Sequence, residues 1–385
     1  MSAAAQTSRE RTTSLVAILA TCAASGVGLG LTLPLLGLIL ERRGYPGTVN
    51  GLNLATAGLA AILITPHVPR LIRKFGASQY LATTLAIVAV AFLAIYEAPN
   101  LWFWFPIRFV LSAALNGLFV VSEFWINQLA DERNRGRMVA LYAICLSGGF
   151  GVGPAVLGVI GTRGIAPFIC GAAMMLLALI PVLLARRAAP RIETHVNQPV
   201  FGLLRIAPAA LLASFVFGAI DAGMAGLLPV YGVRLGYSEA HAALFVTAIS
   251  VGGLLLQYPI GYLADHMNRQ TLLAICALSG VAGAALTPLA VHTPVAMYVL
   301  LAFWGGIVMG IYTIGLTLIG EQFKGNQLVG ANAAYVILYS LGLLMGPAAE
   351  GVALDAWNPR GLLVALGGIC GIYALFLTSR RIRAL

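Results

Sequence analysis

Charge is scarce in this chain. Aspartate, glutamate, lysine and arginine together make up 9% of its 385 residues, whereas a soluble domain carries about a quarter. A chain so poor in charge cannot clothe a water-facing surface, which excludes an ordinary soluble enzyme or binding module. Acidic residues are the scarcest, 13 against 23 basic ones, so any that fall inside apolar runs stand out. The five cysteines (Cys22, Cys145, Cys170, Cys276 and Cys370) all lie in apolar runs without metal-ligand spacing, which implies neither a disulfide framework nor a metal centre. The five histidines are scattered, and no H-E-x-x-H, Walker or dinucleotide-type glycine motif occurs. The chain therefore reads as no enzyme and as needing no cofactor. Any work it does on a solute draws on an ion gradient or runs downhill. Basic residues sit in short segments between apolar runs, not on a continuous face, which excludes nucleic acid as a partner.

Hydrophobic residues make up 60% of the sequence, and the mean hydropathy is +0.92. About 20 apolar residues cross a bilayer as a helix, and twelve runs reach that length, roughly 14–40, 48–69, 78–97, 101–128, 138–161, 165–185, 206–230, 242–263, 271–291, 295–320, 328–352 and 361–378. The run from Ser14 is far too long for a signal core, so no cleavable signal peptide is expected. The longest connection, 186–205, carries Arg186, Arg187, Pro190, Arg191 and Pro199. It divides an N-terminal bundle (1–185) from a C-terminal bundle (206–385). Most basic residues fall on the side of the two termini, with Arg42, Arg43, Arg163, Arg234 and Arg360 opposite. The positive-inside rule then puts both termini in the cytoplasm.

An internal repeat sets the architecture. Gly149, Gly153, Pro154 and Gly158 recur at Gly342, Gly346, Pro347 and Gly351, as Gly117 and Tyr142 do at Gly310 and Tyr335, always 193 positions later. Two copies with six crossings each have the same topology. The expected fold is an all-α integral membrane protein of twelve transmembrane helices in two pseudo-symmetric six-helix bundles, with a solute site near the midplane.

The loop after the eighth run reads Gly261-Tyr262-Leu263-Ala264-Asp265-His266-Met267-Asn268-Arg269-Gln270. It resembles the G-x-L-a-D-x-x-G-R-[RK] loop of the major facilitator superfamily, with Asn268 and Gln270 departing from it. The first-half counterpart keeps Arg70, Arg73 and Lys74 but has Ile72 where the aspartate would fall. The resemblance implies a cytoplasmic latch through Gly261, Asp265 and Arg269, with Arg70, Arg73, Lys74, Asp131, Arg135 and Arg137 as further gating candidates. Glu123-Phe124-Trp125-Ile126-Asn127, Arg135-Gly136-Arg137 and Gln257-Tyr258-Pro259-Ile260-Gly261 resemble the YcaD-like branch of that superfamily. Gly149-x-x-x-Gly153-Pro154 is similar to the helix-bend motif of drug:proton antiporters, although its twin in the eleventh run fits plain helix packing equally well.

Ionisable groups inside a bilayer cost at least a few kcal/mol and are functional candidates by default. Asp221, in the seventh run among Gly218, Gly223 and Gly226, is the first: a proton carrier or a seat for a cation. Glu123 and Arg108 in the fourth run are the others, with gate pairing and snorkelling as their structural alternatives. Glu350 falls within about a turn of Asp355 and reads as an outer-interface residue. Asn53, Asn116, Gln257, Tyr258, Asn332, Tyr335 and Tyr339 are cavity candidates. Pro34 and Pro229 are expected to kink their helices.

The sequence thus reads as a secondary transporter of a bacterial-type inner membrane, exporting a small organic molecule against protons by alternating access. Its expected partners are the substrate, protons and lipid, and a monomer is expected. Import by proton symport or uniport is the alternative, with a lipid flippase or membrane sensor behind it.

Overall fold

A computed structural model describes residues 8–129, 135–186 and 200–383. Among them every regular element is helical: α1 (Ser8–Arg42), α2 (Gly47–Ile64), α3 (Val68–Phe75), α4 (Ala77–Glu97), α5 (Leu101–Leu129), α6 (Arg135–Ile160), α7 (Ala166–Leu184), α8 (Val200–Ile206), α9 (Pro208–Gly226), α10 (Leu228–Arg234), α11 (Glu239–His266), α12 (Arg269–Ala290), α13 (Pro294–Gln322), α14 (Gly325–Ala356) and α15 (Gly361–Arg383). Twelve of the helical stretches are long and apolar enough to cross a membrane. The hydropathy runs mark these well because, in lipid, the backbone must satisfy its own hydrogen bonds.

Two spans break where proline removes a donor. The second ends at Ile64 in a short 3-10 turn holding Pro66, then continues as the eight-residue α3. There Ile72 is buried while Arg70, Arg73 and Lys74 are exposed, so the position that lacks the aspartate serves packing. The seventh breaks at Leu227, two residues before Pro229. Pro34 stays inside a continuous α1. The stretch read as a linker holds α8 up to Arg205; its residues 187–199 lie outside the described residues.

By contacts the chain divides into two compact units, Met1–Thr32 with Ala60–Thr194, and Leu33–Leu59 with His195–Leu385. In the first unit, glycines bring α1 and α6 together. A Cβ on Gly26 or Gly30 would run into the backbone at Leu146 and Phe150, and one on Gly149 or Gly153 into that of Ala23 and Gly30. In the second unit the twin glycines do the same for α9 and α14: Gly342 and Gly346 face the backbone of Phe215 and Ala219, and Gly218 faces Tyr339. Gly47 and Gly51 of α2 meet Gly351 and Pro347 of α14. Close approach without a side chain between the backbones gains dispersion contact where lipid supplies no hydrophobic drive.

The repeat extends to side-chain bonds. Tyr142 donates to the Phe119 carbonyl oxygen at 3.4 Å, and its twin Tyr335 donates to the carbonyl of Tyr312, the twin of Phe119, at 2.6 Å.

Candidate functional site

Asp221 lies thirteen residues from Pro208 and thirteen from Arg234, the middle of the α9–α10 stretch. Its carboxylate is half-buried and accepts a hydrogen bond from the Tyr339 hydroxyl at 2.8 Å. Among the described residues no cation pairs with it. The Tyr339 ring packs in turn against Phe217 and Tyr312.

Glu350 departs from its expected place at the outer interface: it is fully buried. Its carboxyl lies against Gly223, where a Cβ would overlap it, and neither oxygen has a hydrogen-bond partner among the described residues. The reason is helical geometry. Asp355 lies at the end of α14 while Glu350, five residues earlier, faces inward onto α9. Its first-half twin is the buried Leu157. An unpaired buried carboxyl costs about 1–3 kcal/mol, so Glu350→Leu is expected to raise the thermal unfolding temperature by several degrees. A lowered unfolding temperature would show that the carboxyl contributes to packing.

In the first unit, Arg108 is buried at 1% exposure and does not snorkel; its Nε and Nη1 have no partner among the described residues. Glu123 is exposed and lies within electrostatic range of Tyr142 and Cys22. Asn116 donates to Thr65 Oγ1 at 2.6 Å. Arg137 is exposed, whereas Asp131 and the side chain of Arg135 lie outside the described residues.

In the second unit, Gln257 donates to Thr313 Oγ1 at 2.6 Å. Both line a cleft of about 440 Å³ with Tyr258, Gly261, Asp265 and Thr317. Arg269 reaches Asp265 at 3.4 Å, donates from Nε to the Ala264 carbonyl oxygen, and forms an ion pair with Glu321. The departing Asn268 caps α12, its side chain accepting from the amides of Gln270 and Thr271. Asn53 is buried with an unpartnered amide nitrogen, and Asn332 is exposed.

A third cluster was not singled out in the sequence. On the side opposite the basic-rich segments, here called outer, Arg234 makes a two-pronged pair with Glu41 at 2.8 and 2.9 Å, and Arg42 bonds Glu239 at 2.6 Å. Asp355 accepts from the amides of Gly47 and Thr48 and from the Thr48 hydroxyl, each at 2.7 Å. A carboxylate from α14 thereby caps the N-terminus of α2, where free amides and the helix dipole favour negative charge. Burial works against the charge of Arg234, but Glu41 and Asp355 outweigh it and hold the guanidinium above its ordinary range. Loop charges of this kind have no periodicity to flag them.

The family model of the Major Facilitator Superfamily matches residues 16–316 and 235–384. The chain belongs to this superfamily. Among curated relatives, it is 25% identical over 350 residues to the MFS-type transporter YfkF of Bacillus subtilis, covering 88% of each chain. It is 26% identical over 326 residues to the MFS-type transporter YcaD of Escherichia coli, covering 84% of this chain and 83% of that one. The fold matches the solved nucleoside transporter NupG with a TM-score of 0.76 at 13% identity, covering 96% and 98%. It also matches a bacterial homologue of the human lysosomal transporter Spinster with a TM-score of 0.70 at 14% identity, covering 97% and 94%. As a major facilitator the protein is a multi-pass secondary transporter with the twelve-helix fold expected from its sequence, akin to the YcaD-like branch. Its superfamily loop ends in the Asp265–Arg269–Glu321 cluster, Asp221 lies in the middle of the seventh span, and Glu350 is enclosed toward the outer end of the eleventh.

Proposed function

We propose that this transporter exports a small organic molecule in exchange for protons, with both termini cytoplasmic in a bacterial inner membrane. The reading rests above all on Asp221: a half-buried carboxyl at mid-span, bonded to a phenol, with Glu350 enclosed behind it and no cation on either among the described residues. A carboxyl that holds either a proton or the solute, never both, is the minimal device for exchange. Glu123 and Arg108 tune the route from the first unit, and the Asp265–Arg269–Glu321 cluster latches the inner side.

Alternating access requires the outer cluster to break once per cycle. Asp355→Ala removes the cap of α2 and loosens the hold on Arg234. In a background without native cysteines, Leu54→Cys tests this, because Leu54 is 2% exposed and packs on Gly226. Labelling of that cysteine by a membrane-impermeant maleimide is expected to rise several-fold when Asp355→Ala is added. Unchanged labelling would remove the cluster from the gate.

Direction is read in proteoliposomes under an imposed pH gradient, using compounds that raise the unfolding temperature as solutes. Solute moving opposite to protons supports exchange. Uptake in the direction of proton flow would overturn the exporter reading in favour of symport.

A further inference from the structure

Four aromatic rings from three helices meet beside Asp221. Phe217 of α9, one helical turn before it, lies 5.4 Å from Tyr312 of α13 and 6.1 Å from Tyr339 of α14, centroid to centroid. Tyr312 lies 5.7 Å from Tyr339 and 5.1 Å from Tyr335. Phe217 and Tyr335 are buried, whereas Tyr312, Tyr339 and Asp221 keep part of their surface open. The Tyr339 hydroxyl is committed to Asp221, which fixes ring and carboxylate as one unit.

The repeat separates packing from function. Tyr312 and Tyr335 have the aromatic twins Phe119 and Tyr142, which also sit in ring contact, at 6.4 Å. That pair is scaffold. In α1 the repeat offset is 192, since Gly26 meets Leu146 as Gly218 meets Tyr339, and Cys22 bonds the Tyr142 carbonyl as Ser214 bonds that of Tyr335. Phe217, Asp221 and Tyr339 thus have the twins Ser25, Leu29 and Leu146. Small and aliphatic residues therefore suffice at these positions for packing, and the second half alone replaces all three with two rings and a carboxylate. Ring faces carry the negative lobe of the quadrupole and attract cations, and the carboxylate adds a full charge at the edge of the group.

We propose that Asp221 and the rings of Phe217, Tyr312 and Tyr339 form a binding site for an organic cation, a substituted ammonium whose charge meets the carboxylate while its carbon groups lie on the rings. This names the substrate class for the transporter reading above and rests on it.

The test measures binding of choline, tetraethylammonium and phenethylamine to the full chain in lipid nanodiscs by calorimetry, each against an uncharged isostere with carbon in place of nitrogen. At least one cation is expected to bind about tenfold or more tighter than its isostere. Tyr339→Leu is expected to lower that affinity by about tenfold, while Tyr339→Phe, which keeps the ring, stays within about threefold. Asp221→Asn, which can still accept from Tyr339 and so keep the fold, is expected to abolish the preference for the cation. Cations binding no tighter than isosteres, or unaffected by Tyr339→Leu and Asp221→Asn, overturn the site. If pH-driven flux of an uncharged solute persists without cation binding, the cation site falls and the transporter reading stands. Cation binding without any flux leaves the site standing and counts against the transport reading.

Discussion

Asp221→Asn is expected to reduce proton-driven flux in proteoliposomes to the background of vesicles without protein. Asparagine matches aspartate in shape and can accept the same hydrogen bond from Tyr339, so the helix contacts of α9 are preserved. What it cannot do is take up and release a proton. Asp221→Glu keeps that ability on a longer arm and is expected to retain part of the flux. The measurement follows internal pH with a trapped dye as a compound from a thermal-shift screen is added. Flux of the asparagine variant equal to that of the unaltered chain would remove Asp221 from coupling, leaving the buried Glu350 to be examined next.

The second large effect is on folding. A Cβ at Gly346 would meet the carbonyl oxygen, Cα and carbonyl carbon of Ala219, all backbone atoms that cannot turn aside as a flexible side chain can. Gly346→Val therefore forces α14 away from α9 and breaks contacts along the helix pair. Overpacking costs typically about 1–3 kcal/mol and occasionally more, and here the strain falls on two backbones at once. The variant is expected to lose the monodisperse peak on gel filtration in detergent. Gly368→Ala on α15 is the control, because nothing lies within 4 Å of its added carbon. That change is expected to be neutral or to stabilise by about 0.5–1 kcal/mol through backbone entropy. Equal behaviour of the two variants would remove close helix approach as the reason for the glycine.

Features that depend on the local run of residues were legible in the sequence. The twelve crossings follow from hydropathy, and the 193-residue repeat shows in Gly149, Gly153 and Pro154 against Gly342, Gly346 and Pro347. Asp221 stood out because a lone carboxyl in an apolar run needs no partner to be noticed. Glu350 reads from its neighbour Asp355 as a surface group, whereas it is fully buried; the glycine it rests on, Gly223, lies far away in sequence. The outer cluster escaped notice for a related reason. Arg234 meets Glu41 across 193 positions and Asp355 meets Gly47 across 308, and charges near helix ends look alike until folding pairs them. The aromatic group was half seen. Tyr335 and Tyr339 were candidates, but Phe217 and Tyr312 read as ordinary apolar content until three helices brought the rings together.

The cap that Asp355 places on α2 is lopsided in its chemistry. One side of the bond is a side chain, and the other is largely main chain, the amides of Gly47 and Thr48. At Thr48 only proline deletes the amide donor, whereas almost any substitution at Asp355 deletes the acceptor. Drift at Thr48 thus leaves the amide contact in place, while a side chain at Gly47 would press on the carboxylate and on Gly351, and a single codon at the end of α14 sets the contact's strength. Under the gate proposed above, substitution at Asp355 retunes how long the outer face stays shut while leaving Phe217, Asp221 and Tyr339 as they are.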